Sequence, residues 1–263
     1  MRIGIAQTSP AFGEVARNIK DALGLIGRER ADLWVLPELF ASGYQFATAE
    51  ECRDLADPVP GGFTTGALAK HAAEKGCHIV AGLPERDGDR IFNSAVVVGP
   101  DGFLTCYRKV HLFYHEVEFF APGDRPFPVI DLGFARVGVM ICFDHLFPES
   151  ARSLALRGAD VIAHPANLVL PDLAQRTMTI RALENGVYTA TANRVGTEAR
   201  TDETLVYTGQ SQIVDPSGEI VARLSTTNVG VFVAKIDVER ARDKRITDFN
   251  DKLADRRPER YGL

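Results

Sequence analysis

The chain repeats itself. Arg2-Ile-Gly-Ile-Ala-Gln7 returns as Arg136-Val-Gly-Val-Met-Ile141, and Ala31-Asp-Leu-Trp-Val-Leu-Pro37 returns as Ala159-Asp-Val-Ile-Ala-His-Pro165. Gly76-Cys-His-Ile-Val-Ala-Gly82 parallels Gly186-Val-Tyr-Thr-Ala-Thr-Ala192, and Asn93 through Gly102 parallels Gly209 through Gly218. The matches keep their order while the stretches between them change length, which is how a duplicated structural unit diverges. Two similar halves must therefore fold to similar frames, and neither is long enough to hide its own sheet.

Each half reads strand, helix, strand, helix, strand, hairpin. Residues 15–30, 64–75, 148–157 and 173–186 are predicted helices, with apolar spacing of three and four in Ala67-Leu68-x-x-His71-Ala72 and Ala151-x-x-Leu154-Ala155. Gly76 and Gly158 are the expected helix stops. Pro-Asp-Gly102 and Pro-Ser-Gly218 close hairpins whose return strands are Phe103–Tyr107 and Glu219–Ala222. Helices alternating with apolar strands cover one face of each sheet. Stacking the two bare faces predicts an α/β fold, a four-layer α-β-β-α sandwich, as one domain over residues 1–263. Residues 238–263, rich in Arg and Asp, read as a polar C-terminal tail that either frays or reaches a subunit interface.

Composition narrows the function. The 263 residues are 45% hydrophobic and 25% charged, as in ordinary globular chains. A net charge of −5 with scattered basic residues argues against a nucleic-acid surface. No apolar run approaches a membrane span, and Met1–Pro10 reads as a first strand rather than a signal peptide. Cys52, Cys77, Cys106 and Cys142 show no paired spacing, which fits a reducing cytoplasm.

Cys142 alone of these has a reactive setting. It ends the apolar run Val137-Gly-Val-Met-Ile141, just before a helix expected from about Glu149. Glu38 follows Pro37 at the end of another parallel strand, and such ends carry the sites of open α/β sheets. Lys109 ends the first return strand. A neighbouring ammonium and helix amides favour a thiolate, and an apolar setting (Leu36, Leu39, Phe40) raises a carboxyl toward neutrality. Glu38, Lys109 and Cys142 together predict acyl transfer, with the Phe143 N–H and Lys109 holding an oxyanion, and with no metal or cofactor required. Glu116, between aromatic residues, is expected to orient Lys109 or the substrate; Glu118 is a weaker competitor. His145, Asn167, Tyr44 and Phe113 adjoin these segments and are candidates, with Phe143, for the pocket wall. His111 and His115 have helical metal-ligand spacing but no convincing third ligand. His111 is instead expected to be a partner within the lysine loop, and His164 a core residue.

The segments Leu36–Phe40, Tyr107–Phe113, His115-Glu116 through Gly123, and Ile141–Asp144 through Glu149 resemble the signatures of the nitrilase superfamily. Asn193-Arg-Val-Gly196 resembles a stretch of its amidase and carbamoylase branches. The resemblance covers nearly the whole chain and implies an αββα fold, a Glu38–Lys109–Cys142 triad with Glu116 as an accessory glutamate, and homodimers or larger homo-oligomers. It implies hydrolysis of a non-peptide C–N bond, with a small aliphatic amide as the expected substrate. An N-carbamoyl amine or a nitrile is the alternative, carbamoylputrescine being less secure because Trp often stands near the positions of His145 and Leu146. A non-catalytic binding module on the same fold, and a metalloamidase, are the readings from other classes.

Overall fold

The computed structural model describes residues 1–262, so the last residue of the predicted tail lies outside the described residues. Six strands of the first sheet are β1 (Arg2–Gln7), β2 (Leu33–Val35), β3 (His78–Asp87), β4 (Arg90–Gly99), β5 (Gly102–Arg108) and, from far along the chain, β12 (Gly230–Lys235). The second sheet contains β6 (Val129–Asp131), β7 (Arg136–Val139), β8 (Val161–Pro165), β9 (Tyr188–Ala192), β10 (Gln212–Val214) and β11 (Ile220–Arg223). The first sheet runs β12-β1-β2-β3-β4-β5, with Asp57–Pro58 as a short seventh strand beside β3; the second runs β11-β10-β9-β8-β7-β6.

The duplication is therefore topological as well as verbal. β1, β2 and β3 are parallel neighbours, as are β7, β8 and β9; an antiparallel hairpin extends each set, and an antiparallel strand (β12 or β6) closes the other side. Because β12 comes after the whole second half, the first sheet is completed only when the chain returns to it.

Side chains alternate across the strands. Ile3, Ile5, Leu33 and Val35 face Val137, Val139, Val161 and Ala190 in one core between the sheets. Trp34, Ile79 and Val96 point outward beneath α1 (Val15–Ile26) and α2 (Phe63–Lys75), which bury Ile19, Ala22, Ile26, Leu68 and Ala72. Ile162 and Met140 do the same beneath α3 (Pro148–Leu156) and α4 (Leu173–Asn185). Four layers result, α-β-β-α. Gly4 and Gly138, equivalent in the two halves, lie on outward faces: a Cβ on the first would strike the Trp34 ring and on the second the Leu154 side chain. Each is glycine because a neighbour leaves no room for a Cβ, Trp34 of the adjacent strand in the first half and Leu154 of the covering helix in the second.

The helices fall at the predicted positions, α1 stopping at Ile26, four residues before the expected end at 30. Gly76 ends α2 in the left-handed conformation, with φ +63. Residues 238–262 lie against their own chain: Lys244 Nζ donates to the carbonyls of Asn185 (3.1 Å) and Gly186 (2.7 Å) beyond the last turn of α4, and Arg240 pairs with Asp215 at 2.7 Å. A cation at a helix C-terminus is the favourable sign. Among the described residues, no helix is long and apolar enough to cross a membrane.

Candidate active site

The nucleophile candidate sits on a strained elbow just beyond the tip of its strand. β7 ends at Val139, and Cys142 opens a 3-10 turn, Cys142–Leu146, with φ +41. A positive φ is costly for a side chain other than glycine and persists only when neighbours fix it. Here they do. The Asp144 carboxylate accepts from Ile141 N (2.9 Å), Tyr107 OH (2.8 Å), His111 N (3.2 Å) and His111 Nδ1 (2.7 Å), tying the elbow to the lysine strand of the other sheet. His164 Nε2 donates to the Cys142 carbonyl at 2.9 Å, and its Nδ1 lies 3.0 Å from the Thr191 hydroxyl. Burial, with His145 close by, pushes the His164 pKa down to about 3. The ring is thus neutral, with Nε2 carrying the proton and Nδ1 accepting from Thr191.

The acid arrives by close backbone approach. Glu38 follows β2, and a Cβ at Gly82 of β3 would collide with the Glu38 backbone, so only glycine lets the two segments meet. Glu38 Oε1 accepts from Lys109 Nζ and from Asn93 Nδ2, each at 2.7 Å, while Oε2 is buried without a hydrogen-bond partner. Lys109 Nζ also donates to Glu116 Oε1 at 2.7 Å. Tyr44 OH donates to that same oxygen at 2.7 Å, and Glu116 Oε2 accepts from Phe113 N at 3.2 Å. Glu38, Lys109, Glu116 and Cys142 are all at least 95% buried.

Burial sets the electrostatics. It is the main cause raising Glu38 to a pKa of about 7; Glu116 adds to the shift, while Lys109 and Asn93 oppose it. For Lys109, burial disfavours the charge, but Glu116 and Glu38 outweigh it and hold the ammonium above the ordinary lysine value. The Cys142 thiol is pushed well above its usual pKa, by burial first and the Glu38 carboxylate next, with Lys109 only partly countering. Burial thus works against the thiolate expected from the sequence, and the ammonium offsets it only in part. That sulfur lies 3.8 Å from the Asn167 carbonyl, within reach of a weak S–H donor.

Two cavities flank this cluster. The one reaching Cys142 is small, about 20 Å³, and is walled by Phe113, Phe143, His145, Asn167 and Leu168 among others. The larger, about 340 Å³, is bounded by Tyr44, Glu116, Phe119 and Glu203 but does not touch the sulfur. Of the five pocket candidates, four line the cavity at Cys142; Tyr44 belongs to the other and reaches the cluster through Glu116. Glu118 is exposed and pairs with His115 at 2.5 Å, away from the lysine. His111 is turned to Asp144, so the two histidines do not converge. Among the described residues, no group of three or more His, Cys, Asp or Glu side chains is arranged to hold a metal ion.

Asn93, Asp144 and His164 escaped sequence reasoning as site residues. Asn93 and Asp144 lie inside quoted motifs, and a buried polar residue next to a candidate nucleophile or opposite a lysine strand was the available signal.

Residues 2–246 match the model of the carbon-nitrogen hydrolase family. The chain belongs to that family. This carbon-nitrogen hydrolase is 53% identical to a Pyrococcus abyssi protein named nitrilase over 99% of both chains. It is 33% identical to an (R)-stereoselective amidase of a Pseudomonas species, over 98% of this chain and 92% of the relative. It also superposes on a variant of the nitrilase-superfamily amidase from Nesterenkonia sp. AN1, with a TM-score of 0.81, 27% identity, and coverage of 98% and 94%. In that structure the acetamide moiety of fluoroacetamide is added covalently at the active-site cysteine.

Proposed function

We propose that this carbon-nitrogen hydrolase converts a small amide to a carboxylic acid and ammonia through a thioester on Cys142. The single observation carrying this is the buried Glu38–Lys109–Glu116 network whose charges act on Cys142, with Glu38 near pKa 7 and one carboxylate oxygen unpartnered.

Because burial opposes a free thiolate, attack and proton transfer go together. The Cys142 S–H proton passes to Glu38 as the sulfur bonds to the amide carbon, and the carbonyl π pair moves to oxygen. Lys109 and the Phe143 N–H stabilise that oxyanion, each such donor contributing on the order of 3 kcal/mol to barrier lowering. When the oxyanion collapses, the C–N bond breaks and Glu38 returns its proton to the leaving nitrogen, giving ammonia. Water then gives a proton to Glu38 and attacks the thioester; C–S cleavage releases the acid, and Glu38 returns its proton to the sulfur, restoring the thiol. Glu116, itself held by Tyr44 and Phe113 N, positions Lys109. A carboxylate with a pKa near 7 suits both directions of transfer at neutral pH.

The resemblance to the Nesterenkonia amidase, whose active-site cysteine is alkylated by fluoroacetamide, supports a nucleophilic cysteine here. Homo-oligomerisation is part of the same reading: Leu156 on α3, Ile180 and Leu183 on α4, and Ile246 and Phe249 beyond them are exposed apolar side chains suited to subunit contacts.

The test is ammonia release from a panel of aliphatic amides, N-carbamoyl amines and nitriles, comparing the wild type with Cys142→Ala. Turnover of amides by the wild type alone, with a mass increase on Cys142 in quenched samples, is the expected result. Activity that survives Cys142→Ala, or that a chelator abolishes, overturns the proposal.

A further inference from the structure

We infer that Asn167 binds the substrate beside its reacting carbonyl, and that this pocket takes uncharged amides while refusing those bearing a carboxylate. The inference rests on the thioester reading above and adds the substrate class.

Asn167 is 2% exposed, yet neither its Nδ2 nor its Oδ1 has a hydrogen-bond partner. Leaving both ends of a buried amide unmade is costly, and such groups are ordinarily satisfied within the fold. The side chain lines the cavity at Cys142, and its own backbone carbonyl is the group the thiol faces. An amide left open beside the nucleophile finds its partners in a ligand.

The chemistry of that ligand follows from what surrounds it. Asn167 offers one type of donor and one acceptor, so it matches a neutral group having both, such as a hydroxyl or a second carboxamide. The remaining wall is apolar or aromatic, through Phe113, Phe143, Leu168 and Leu170. His145, the only ionisable wall residue besides the cysteine, has Nδ1 2.6 Å from the Thr177 hydroxyl, and its pKa is lowered to about 4 by burial and by Arg181. It is neutral near pH 7. Among the described residues, no lysine or arginine lines the cavity, and the nearby buried cluster sets two carboxylates against one ammonium. A substrate carboxylate would thus be desolvated without a counter-ion and beside like charges.

The test compares amides on the intact enzyme. Wild-type kcat/KM for butyramide should exceed that for succinamate, of equal chain length, by about 100-fold or more. Asn167→Leu should raise KM for 2-hydroxypropionamide about tenfold more than for propionamide, with a smaller effect on kcat. Succinamate turned over as well as butyramide, by an enzyme that still requires Cys142, overturns this inference and leaves the thioester reading standing. Equal KM changes for the two propionamides overturn the role of Asn167. If no amide is hydrolysed, both fall together, and the wild-type comparison needs no variant to fold.

Discussion

The two halves build the same strand tip and use it in opposite ways. In the first half β1 ends at Gln7, whose side chain donates to the carbonyls of Ser225 (2.7 Å) and Asn228 (2.8 Å) and accepts from Ser211 N (2.9 Å). The next residue, Thr8, continues straight into a parallel bridge with Arg194. In the second half the equivalent residues are Ile141 and Cys142, and the chain turns there at φ +41 with the Asp144 carboxylate beneath it. One tip splices the sheets together; the other displays a thiol. The ends of β2 and β8 diverge similarly, Pro37 leading to a buried charged acid and Pro165 to a buried neutral amide. A duplicated frame thus supplies equivalent stations, and the few residues just beyond each strand decide which station carries chemistry.

The largest effect that tests this contrast is at the tips themselves. Cys142→Ala should lower kcat by about 10⁴-fold or more, whereas Thr8→Val, at the equivalent station, should leave kcat unchanged. A steady-state assay of both variants decides it, and a comparable loss in the second would end the division of labour. Next comes the charge network. Lys109→Met leaves two buried carboxylates without their cation and should cost about 3–5 kcal/mol in urea unfolding besides abolishing turnover.

Glu38 predicts a pH signature absent from the Asn167 side. Its carboxyl is raised from 4.5 to about 7 in the fold, so folding favours the protonated acid. That contribution is complete below about pH 4.5 and is lost as pH rises through about 7. Glu38→Gln should flatten the stability curve over this window. In the wild type, kcat/KM should fall about tenfold per unit below pH 7, because the base is then protonated. A pH-independent rate from 5 to 7 would contradict Glu38 as the proton acceptor. The smallest effect concerns the shared frame: Gly4→Ala and Gly138→Ala should each cost about 1–3 kcal/mol by overpacking, with KM unchanged. Thermal unfolding that did not move for one of them would show that its neighbour, Trp34 or Leu154, yields to the added methyl.

Much of the fold was legible because its signals are local. Apolar spacing marked α2 and α3, Gly76 and Gly158 marked their ends, the two Pro-x-Gly turns marked the hairpins, and repeated words marked the repeated topology. Glu38, Lys109 and Cys142 were legible as candidates because each follows an apolar strand with a residue that strands do not bury unpaired. Asn93, Asp144 and His164 were not, since a polar side chain's partner depends on cross-strand register and on the distance between sheets. The burial that opposes a Cys142 thiolate was hidden for the same reason: sequence shows which charges are near in order, but not how far all of them are removed from water.

By itself the sequence determined the two-fold frame, the order of its elements and the three residue types able to perform acyl transfer, because periodicity and turn chemistry act over a few residues. Packing the sheets decided the rest. Only when both inner faces meet do Glu38, Lys109 and Glu116 lose solvent together, and low polarity rather than proximity then sets who holds the proton. The elbow at Cys142 likewise exists because His164 reaches it from a neighbouring strand and Tyr107 and His111 hold its Asp144 from across the sandwich, contacts that no stretch of chain specifies alone.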